Sequence, residues 1–442
     1  MQSFDVIVIG GGSNGLAAAG KLQTAGRRVL VLEAAAEAGG AAVGPEFAPG
    51  FGKPALAHIA HQIDPRVMAG MALARHGLAF VASNLSSTAV SPQGDHLLVE
   101  GAALTGARSD ADRAAWAALR RQLMAFAGVL APFKAVVPPR LAKGVGNEHL
   151  RLARLGLAVR MLGKADFREF LRMLLINVAD VLNDELDDDR LKGLLGFDAT
   201  LGSWLGPQSP NSLILLLNRM AGEVAGVQGA LALPAGGMGA VAAAMARSAE
   251  ALGVVIRAGV RVASVIIECD RACGVVLGSG EVIRAGLVVS AINPKTTFLR
   301  LVGPRHLDAG FVNRIRAQKS RGAAAKLHLA LTGVPDFRGA DLKSRLVIAP
   351  SLRAVETAFN AVKYGEVPEA PVMEIVLPSA FEAGHAPQGQ HLLSAIVQFA
   401  PHAPKAGQDA ARAEMLARTL AVLEAHAPGI GALISHAEML MP

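Results

Sequence analysis

The chain has 442 residues, 52% of them apolar and 18% charged; disorder is excluded, and the length suits about two to four domains. Its 43 Lys and Arg against 36 Asp and Glu leave a net charge of +7 with no dense basic block, so no nucleic-acid partner is expected. The cysteines are Cys269 and Cys273, at C-x3-C spacing with no His in 253–290, which argues against a disulfide-built scaffold, a thioredoxin-type pair and a metal site.

The first 34 residues predict a β-α-β unit. Residues 4–9 are a β-rich apolar run, as a buried parallel strand should be. Residues 10–15 make the turn, 16–25 an Ala-rich helix stopped by Gly26, and 28–32 a second strand ending at Glu33. A unit that begins at residue 4 leads us to expect an authentic N-terminus. Residues 36–65 are rich in Gly and Pro and predict loops, whereas helical patterns dominate 66–224. Ser109-Asp110-Ala111-Asp112 predicts a helix start, with Trp116, Leu119, Leu123 and Phe126 at helical spacing. Residues 150–182 predict a second long helical stretch, and the acidic run 184–189 opens the next segment, as a helix N-terminus favours.

From 225 the texture changes. Gly236-Gly237-Met238-Gly239 leads into an Ala-rich helix that ends near Leu252. Short strands are expected at 254–257, 262–268, 274–277, 281–283 and 286–290, with Gly278-Ser279-Gly280 as a hairpin turn. Runs at 325–331, 345–349, 372–377 and 392–398 predict an antiparallel sheet, followed by an amphipathic helix over 409–427 and a strand over 434–440. The apolar runs at 6–9 and 213–217 are too short for a signal segment or a bilayer span, so a cytoplasmic protein is expected.

Gly10-Gly11-Gly12-Ser13-Asn14-Gly15 satisfies G-x-G-x-x-G between a strand and a helix, and Glu33 follows Gly15 by eighteen residues. That context makes a dinucleotide fingerprint. Gly10 allows the tight turn, Gly12 lets the backbone approach a pyrophosphate, and Gly15 lets the helix pack close on the sheet. The helix start offers unpaired N–H groups to phosphates, and Glu33 accepts from an adenosine ribose while repelling a 2′-phosphate. Ala38-Gly39-Gly40-Ala41 then resembles the second glycine pair of flavoproteins of the glutathione-reductase and amine-oxidase types. In those families the loop runs along the dinucleotide toward the flavin.

The resemblance extends over most of the chain. Gly196-Phe197-Asp198-Ala199, Gly202-Ser203-Trp204-Leu205-Gly206-Pro207-Gln208-Ser209-Pro210 and Leu233-Pro234-Ala235-Gly236-Gly237-Met238-Gly239-Ala240 resemble signatures of phytoene-desaturase-like flavoproteins. Ala325-Lys326-Leu327-His328-Leu329-Ala330-Leu331, Ile348-Ala349-Pro350-Ser351-Leu352, Lys363-Tyr364-Gly365 and Gln398-Phe399-Ala400-Pro401 add to it. The group it resembles most is that of pyridine nucleotide-disulfide oxidoreductase domain-containing protein 2 and its bacterial relatives. By this resemblance Val262 lies beside the adenine; a plain core Val is the alternative. The family also carries a C-terminal segment with a Gly-rich turn aimed at the flavin ribityl and pyrophosphate. Nothing after Leu420 resembles it, so half of the expected flavin cradle is expected to be absent.

Other signals are weaker. Gly237 to Ala242 reads as G-x-G-x-x-A, and Arg257 ends the next strand; Pro234 just before it suits an ordinary loop-to-helix entry better than a second nucleotide fold. His58 and His61 are either proton carriers near a flavin or structural histidines. Arg151, Arg154, Arg160, Lys164, Arg168 and Arg172 interleave with apolar residues, which suits either a solvated helix face or contact with anionic lipid.

The expected fold class is α/β: a discontinuous Rossmann-like FAD-binding domain of 1–75 and 226–297, with an α+β substrate domain of 76–225 and 298–442. The resemblance implies an FAD-dependent oxidoreductase exchanging a hydride between an apolar, polyene or lipid-like substrate and flavin N5, with oxygen or a quinone as electron acceptor. Gly10, Gly12, Ser13, Asn14 and Gly15 would line the pyrophosphate, Glu33 and Ala34 the ribose, and Gly39, Gly40 and Ala41 the run toward the flavin. No catalytic side chain and no metal ligand is assigned. The alternatives are an incomplete or non-catalytic relative acting as an interaction module, and a simple NAD-dependent dehydrogenase, against which the 39–40 glycine pair argues.

Overall fold

The computed structural model describes residues 4–52, 54–134, 136 and 148–442. They form two compact units, Met1–Val81 with Leu233–Ser320 and Ala82–Ala232 with Arg321–Pro442. The expected bounds at 75, 226 and 297 differ from these: 76–81 and 298–320 fall in the first unit and 226–232 in the second.

The first unit is built on a four-stranded parallel sheet. Its order is Val255–Arg257, Val29–Leu32, Val6–Ile9, Leu287–Ser290. The two central strands are buried on both faces, which is why they read as unbroken apolar runs. Alternation divides their side chains. Val6, Val8, Val29 and Val31 pack with Leu16 and Ala19 of the helix Ser13–Thr24 and with Val241 and Met245 of the helix Met238–Ala251. Ile7, Ile9, Leu30 and Leu32 face the other way, onto an antiparallel sheet of Val262–Glu268, Arg271–Leu277 and Val282–Arg284. The Gly278–Gly280 turn joins the last two strands, and Gly280 takes φ +89°, the left-handed conformation that such turns need.

The second unit carries an eight-stranded sheet. In order it runs Ile434–Leu440, Ala324–Leu331, His391–Gln398, Val372–Val376, Arg345–Ile348, Ser87–Ala89, Leu97–Glu100 and Ala103–Thr105. The pairing is antiparallel, as expected, except where Arg345–Ile348 meets Ser87–Ala89 in parallel. One face is apolar: Leu327, Leu329, Ile375 and Val397 pack on Met415 and Leu423 of the helix Gln408–His426. On the other face Ala89, Val347 and Val372 meet a helical layer that includes Asp110–Lys134, Asp189–Thr200, Ser212–Met220 and Leu352–Lys363.

Helix Asp110–Lys134 starts where Ser109 predicted, with the Ser109 hydroxyl accepting the Asp112 N–H at 3.0 Å. Two expectations change. The single stretch over 150–182 is three helices, Glu148–Arg160, Lys164–Met173 and Val178–Glu185. Gly163 at φ +88° breaks the first from the second, and the Asn177 side chain caps the third by accepting the Asp180 N–H. The strands within 87–105 stand in a region read as helical; at three or four residues each they are too short to show alternation.

Candidate functional site

The chain leaves the strand Val6–Ile9 through Gly10, whose φ of +98° only glycine holds without strain. A Cβ on Gly15 would lie 1.9 Å from the Gly10 carbonyl oxygen, so the first turn of the helix can sit this close only as glycine. Gly12 is different. A Cβ there would meet nothing nearer than the Gly40 Cα at 3.8 Å. The fold itself makes no demand for glycine at this point; the space over it is open. No side chain caps this helix, its first turn holds no acidic residue, and Ser13 and Asn14 are exposed. Its main-chain N–H groups and positive dipole end therefore suit an anion.

The second glycine pair packs against the first. Gly12 and Gly39 form an isolated parallel bridge. Gly39, at φ +146°, would place a Cβ 2.3 Å from Val43 and 2.9 Å from Ala242. Ala41 lies exposed in the short turn Gly40–Ala42.

Glu33 closes the arrangement. One carboxylate oxygen accepts the Gly11 N–H at 2.7 Å and the other the Ala35 N–H at 2.8 Å. Its main chain is held between Arg257 and Val260, with N–H to Arg257 O at 3.0 Å and the Val260 N–H donating back at 2.8 Å. Each carboxylate oxygen keeps a lone pair for a hydroxyl. Ala34 is exposed beside it. Val262 is buried, its side chain packed into the apolar layer with Ile7 and Leu30, so the side chain serves the core.

The G-x-G-x-x-A at 237–242 does not open a second nucleotide fold. The Leu233–Pro234 segment before it pairs with Phe80–Ala82 in a separate ribbon, and Val255–Arg257 after it joins the one parallel sheet beside Val29–Leu32. Arg257 is committed to Glu281 by two hydrogen bonds of 2.9 and 2.8 Å. His58 is buried and His61 half-buried, and both have interaction partners. Cys269 and Cys273 are free thiols on the hairpin of Val262–Glu268 with Arg271–Leu277. Among the described residues no cluster suits a metal ion.

The second unit holds a buried charged network that the sequence reading did not assign. Arg345 is fully buried on the sheet. Its guanidinium binds Glu374 at 2.6 Å, both oxygens of Asp198, and the Ser87 hydroxyl at 3.4 Å, and it lies 5.7 Å from the Phe197 ring centroid. Burial alone would push its pKa down; the Asp198 and Glu374 carboxylates outweigh that and hold it up. Asp198 also takes Arg219 at 3.5 Å.

Lys326 and Glu374 both stand opposite Ile396 in successive strand pairs, which puts them on one face of the sheet. Burial pushes the Lys326 ammonium down to about 7 against the pull of Glu374. A lysine at that value can hold or release a proton near neutrality. His328, two residues on, is fully buried with its Nδ1 3.3 Å from the Ser394 hydroxyl. Gln398 accepts the Gly202 N–H at 2.7 Å, while its buried Nε2 has no hydrogen-bond partner among the described residues. A polar residue at every second position of an apolar strand, as in Lys326 and His328, was the available signal for this face.

A family model for flavin-containing amine oxidoreductases matches residues 69–425, and one for NAD(P)-binding Rossmann-like domains matches 8–73. The chain is 28% identical over 472 residues to pyridine nucleotide-disulfide oxidoreductase domain-containing protein 2 of Rattus norvegicus, spanning 99% of this chain and 81% of that protein. In fold it is similar to an oxidoreductase from Methanosarcina mazei, at a TM-score of 0.62 and 15% identity over 99% of this chain and 88% of that one. It is also similar to putrescine oxidase bound to putrescine, at a TM-score of 0.60 and 18% identity over 99% of this chain and 84% of that one. The chain belongs to the flavin-containing amine oxidoreductase family and is an FAD-dependent oxidoreductase.

Proposed function

We propose that the chain is a desaturase- or dehydrogenase-type member of this family, like the phytoene-desaturase-like flavoproteins, acting on an apolar, polyene or lipid-like molecule. The observation that carries the cofactor part is the glycine cradle: Gly12 is open above an uncapped helix start, with Gly39 and Gly40 locked beneath it. These features fit FAD. The main chain of Gly10, Gly12, Ser13, Asn14 and Gly15 would hold the pyrophosphate. Glu33 and Ala34 would take the ribose, Gly39 to Ala41 would follow the dinucleotide, and the Val262 main chain would lie at the adenine. When bound, flavin supplies an acceptor for the hydride that leaves the substrate. The electron acceptor would be oxygen or a quinone.

An apolar substrate gives this chain a reason to work at a membrane surface. Leu157, Met161, Leu171 and Leu175 are exposed beside exposed Arg160, Lys164 and Arg168, which supports peripheral contact of an otherwise cytoplasmic protein with anionic lipid. The side chains of Arg151 and Arg154 lie outside the described residues. Among the described residues no helix is long and apolar enough to cross a membrane. Anaerobic mixing of the flavin-loaded chain with polyenes, unsaturated lipids and short amines tests the substrate class. Loss of the oxidised-flavin absorbance with a polyene or lipid is the expected result. Loss with a short amine alone would overturn it.

A further inference from the structure

We propose that a cleft inside the second unit binds the carboxylate end of an apolar organic acid, with Arg120 as its counter-charge. The cleft has about 110 Å³ of free space, bounded by Trp116, Met124, Leu195, Leu216 and Leu231. A dry cavity of roughly 150 Å³ takes a benzene-sized group, so this smaller cleft suits a short aliphatic end.

Three charged side chains reach the cleft: Arg120, Arg219 and Asp198. Asp198 is already matched. It is shared by Arg219 and the buried Arg345, and Arg345 is in turn bound to Glu374. Those two cations and two anions cancel. Arg120 is left over. It is half-buried on the helix Asp110–Lys134, its guanidinium lies against Gly101, and no acidic side chain pairs with it among the described residues. Burial lowers its pKa with no carboxylate opposing the shift. An unmatched cation half-buried at a cleft calls for an anion.

The charge left to match is one. A carboxylate supplies one and fits the guanidinium fork with two parallel hydrogen bonds, whereas a phosphate monoester brings about −1.5 to −2. Asn84 and Ser87 add polar side chains to the lining, and Val99 joins the five apolar residues above in offering hydrocarbon. The Trp116 N–H is already given to the Gly101 carbonyl at 3.0 Å, so the indole offers its ring. The cleft deepens the proposed function, on which it rests for one point only, that this acid is the substrate; binding itself needs no flavin.

Calorimetric titration of the purified chain, with and without FAD, tests it with hexanoate, hexanamide and hexyl phosphate. Hexanoate should saturate a single site and bind at least roughly tenfold tighter than either of the others. R120Q should weaken hexanoate by roughly tenfold to a hundredfold, leave hexanamide and flavin retention unchanged, and be partly rescued by R120K. Equal affinity for acid and amide would overturn the inference, as would tighter binding of hexyl phosphate or unchanged hexanoate affinity in a folded R120Q. Hexanoate binding without flavin retention would sink the proposed function and spare the cleft. Flavin retention without hexanoate binding would do the reverse.

Discussion

The two units carry chemistry by opposite means. In the first, the glycine turn works through main chain: Gly10, Gly12, Gly15, Gly39 and Gly40 contribute by what they lack, and Glu33 fixes the turn through two N–H groups. In the second, the network works through long side chains. Ser87, Asp198, Arg219, Arg345 and Glu374 come from five segments spread over nearly 290 residues. A glycine turn tolerates no Cβ where the backbone closes on itself, while a buried charge tolerates no loss of its partner.

Breaking the side-chain network should cost most. R345M takes the guanidinium from buried Glu374 and leaves Asp198 with Arg219 alone, a loss of about 3–5 kcal/mol. Chemical denaturation should show it, and the double variant R345M/E374L should recover part of it. A single variant as stable as the parent would mean that the network is not held as described.

The glycines should separate by role. G15A sets a Cβ against the Gly10 carbonyl, an overpacking cost of about 1–3 kcal/mol or more. G12A meets only the Gly40 Cα, at an ordinary contact distance of 3.8 Å, and should stay within about 0.5 kcal/mol of the parent. Equal stability losses in thermal melts of the two would erase the distinction between a packing glycine and a ligand glycine.

Lys326 acts through a slope with pH. Lys326 has its pKa lowered from 10.5 to about 7 in the folded chain. Between those values the unfolded chain holds a proton that the folded chain does not, so this group makes stability rise with pH across the window. The cost of its burial is full below pH 7 and relieved as pH climbs. K326M should remove up to about 1.4 kcal/mol per pH unit of that rise. An unchanged slope in denaturation midpoints over this range would place the Lys326 pKa elsewhere.

The same contrast explains what was legible. The spacing from Gly10 to Glu33 is a main-chain requirement written in consecutive residues, so it could be read, and so could the hairpin at Gly278–Gly280. The second task of Glu33, holding the Gly11 and Ala35 N–H groups, depends on coordinates and not on spacing. Asp198 and Lys326 lay within recognised motifs, but nothing local tied Asp198 to Arg345, 147 positions away. Their pairing is a product of the helix Asp189–Thr200 packing on the sheet, where Arg345–Ile348 is set in parallel beside the three-residue strand Ser87–Ala89. A strand that short leaves no period to read.

FAD is proposed to sit in the space at Gly12. The direct measurement is bound flavin per chain after gel filtration, by visible absorption, for the parent and for G12V and E33A. Flavin should be retained by the parent and lost from both variants while their folds persist. Parent and G12V retaining equal flavin would contradict it.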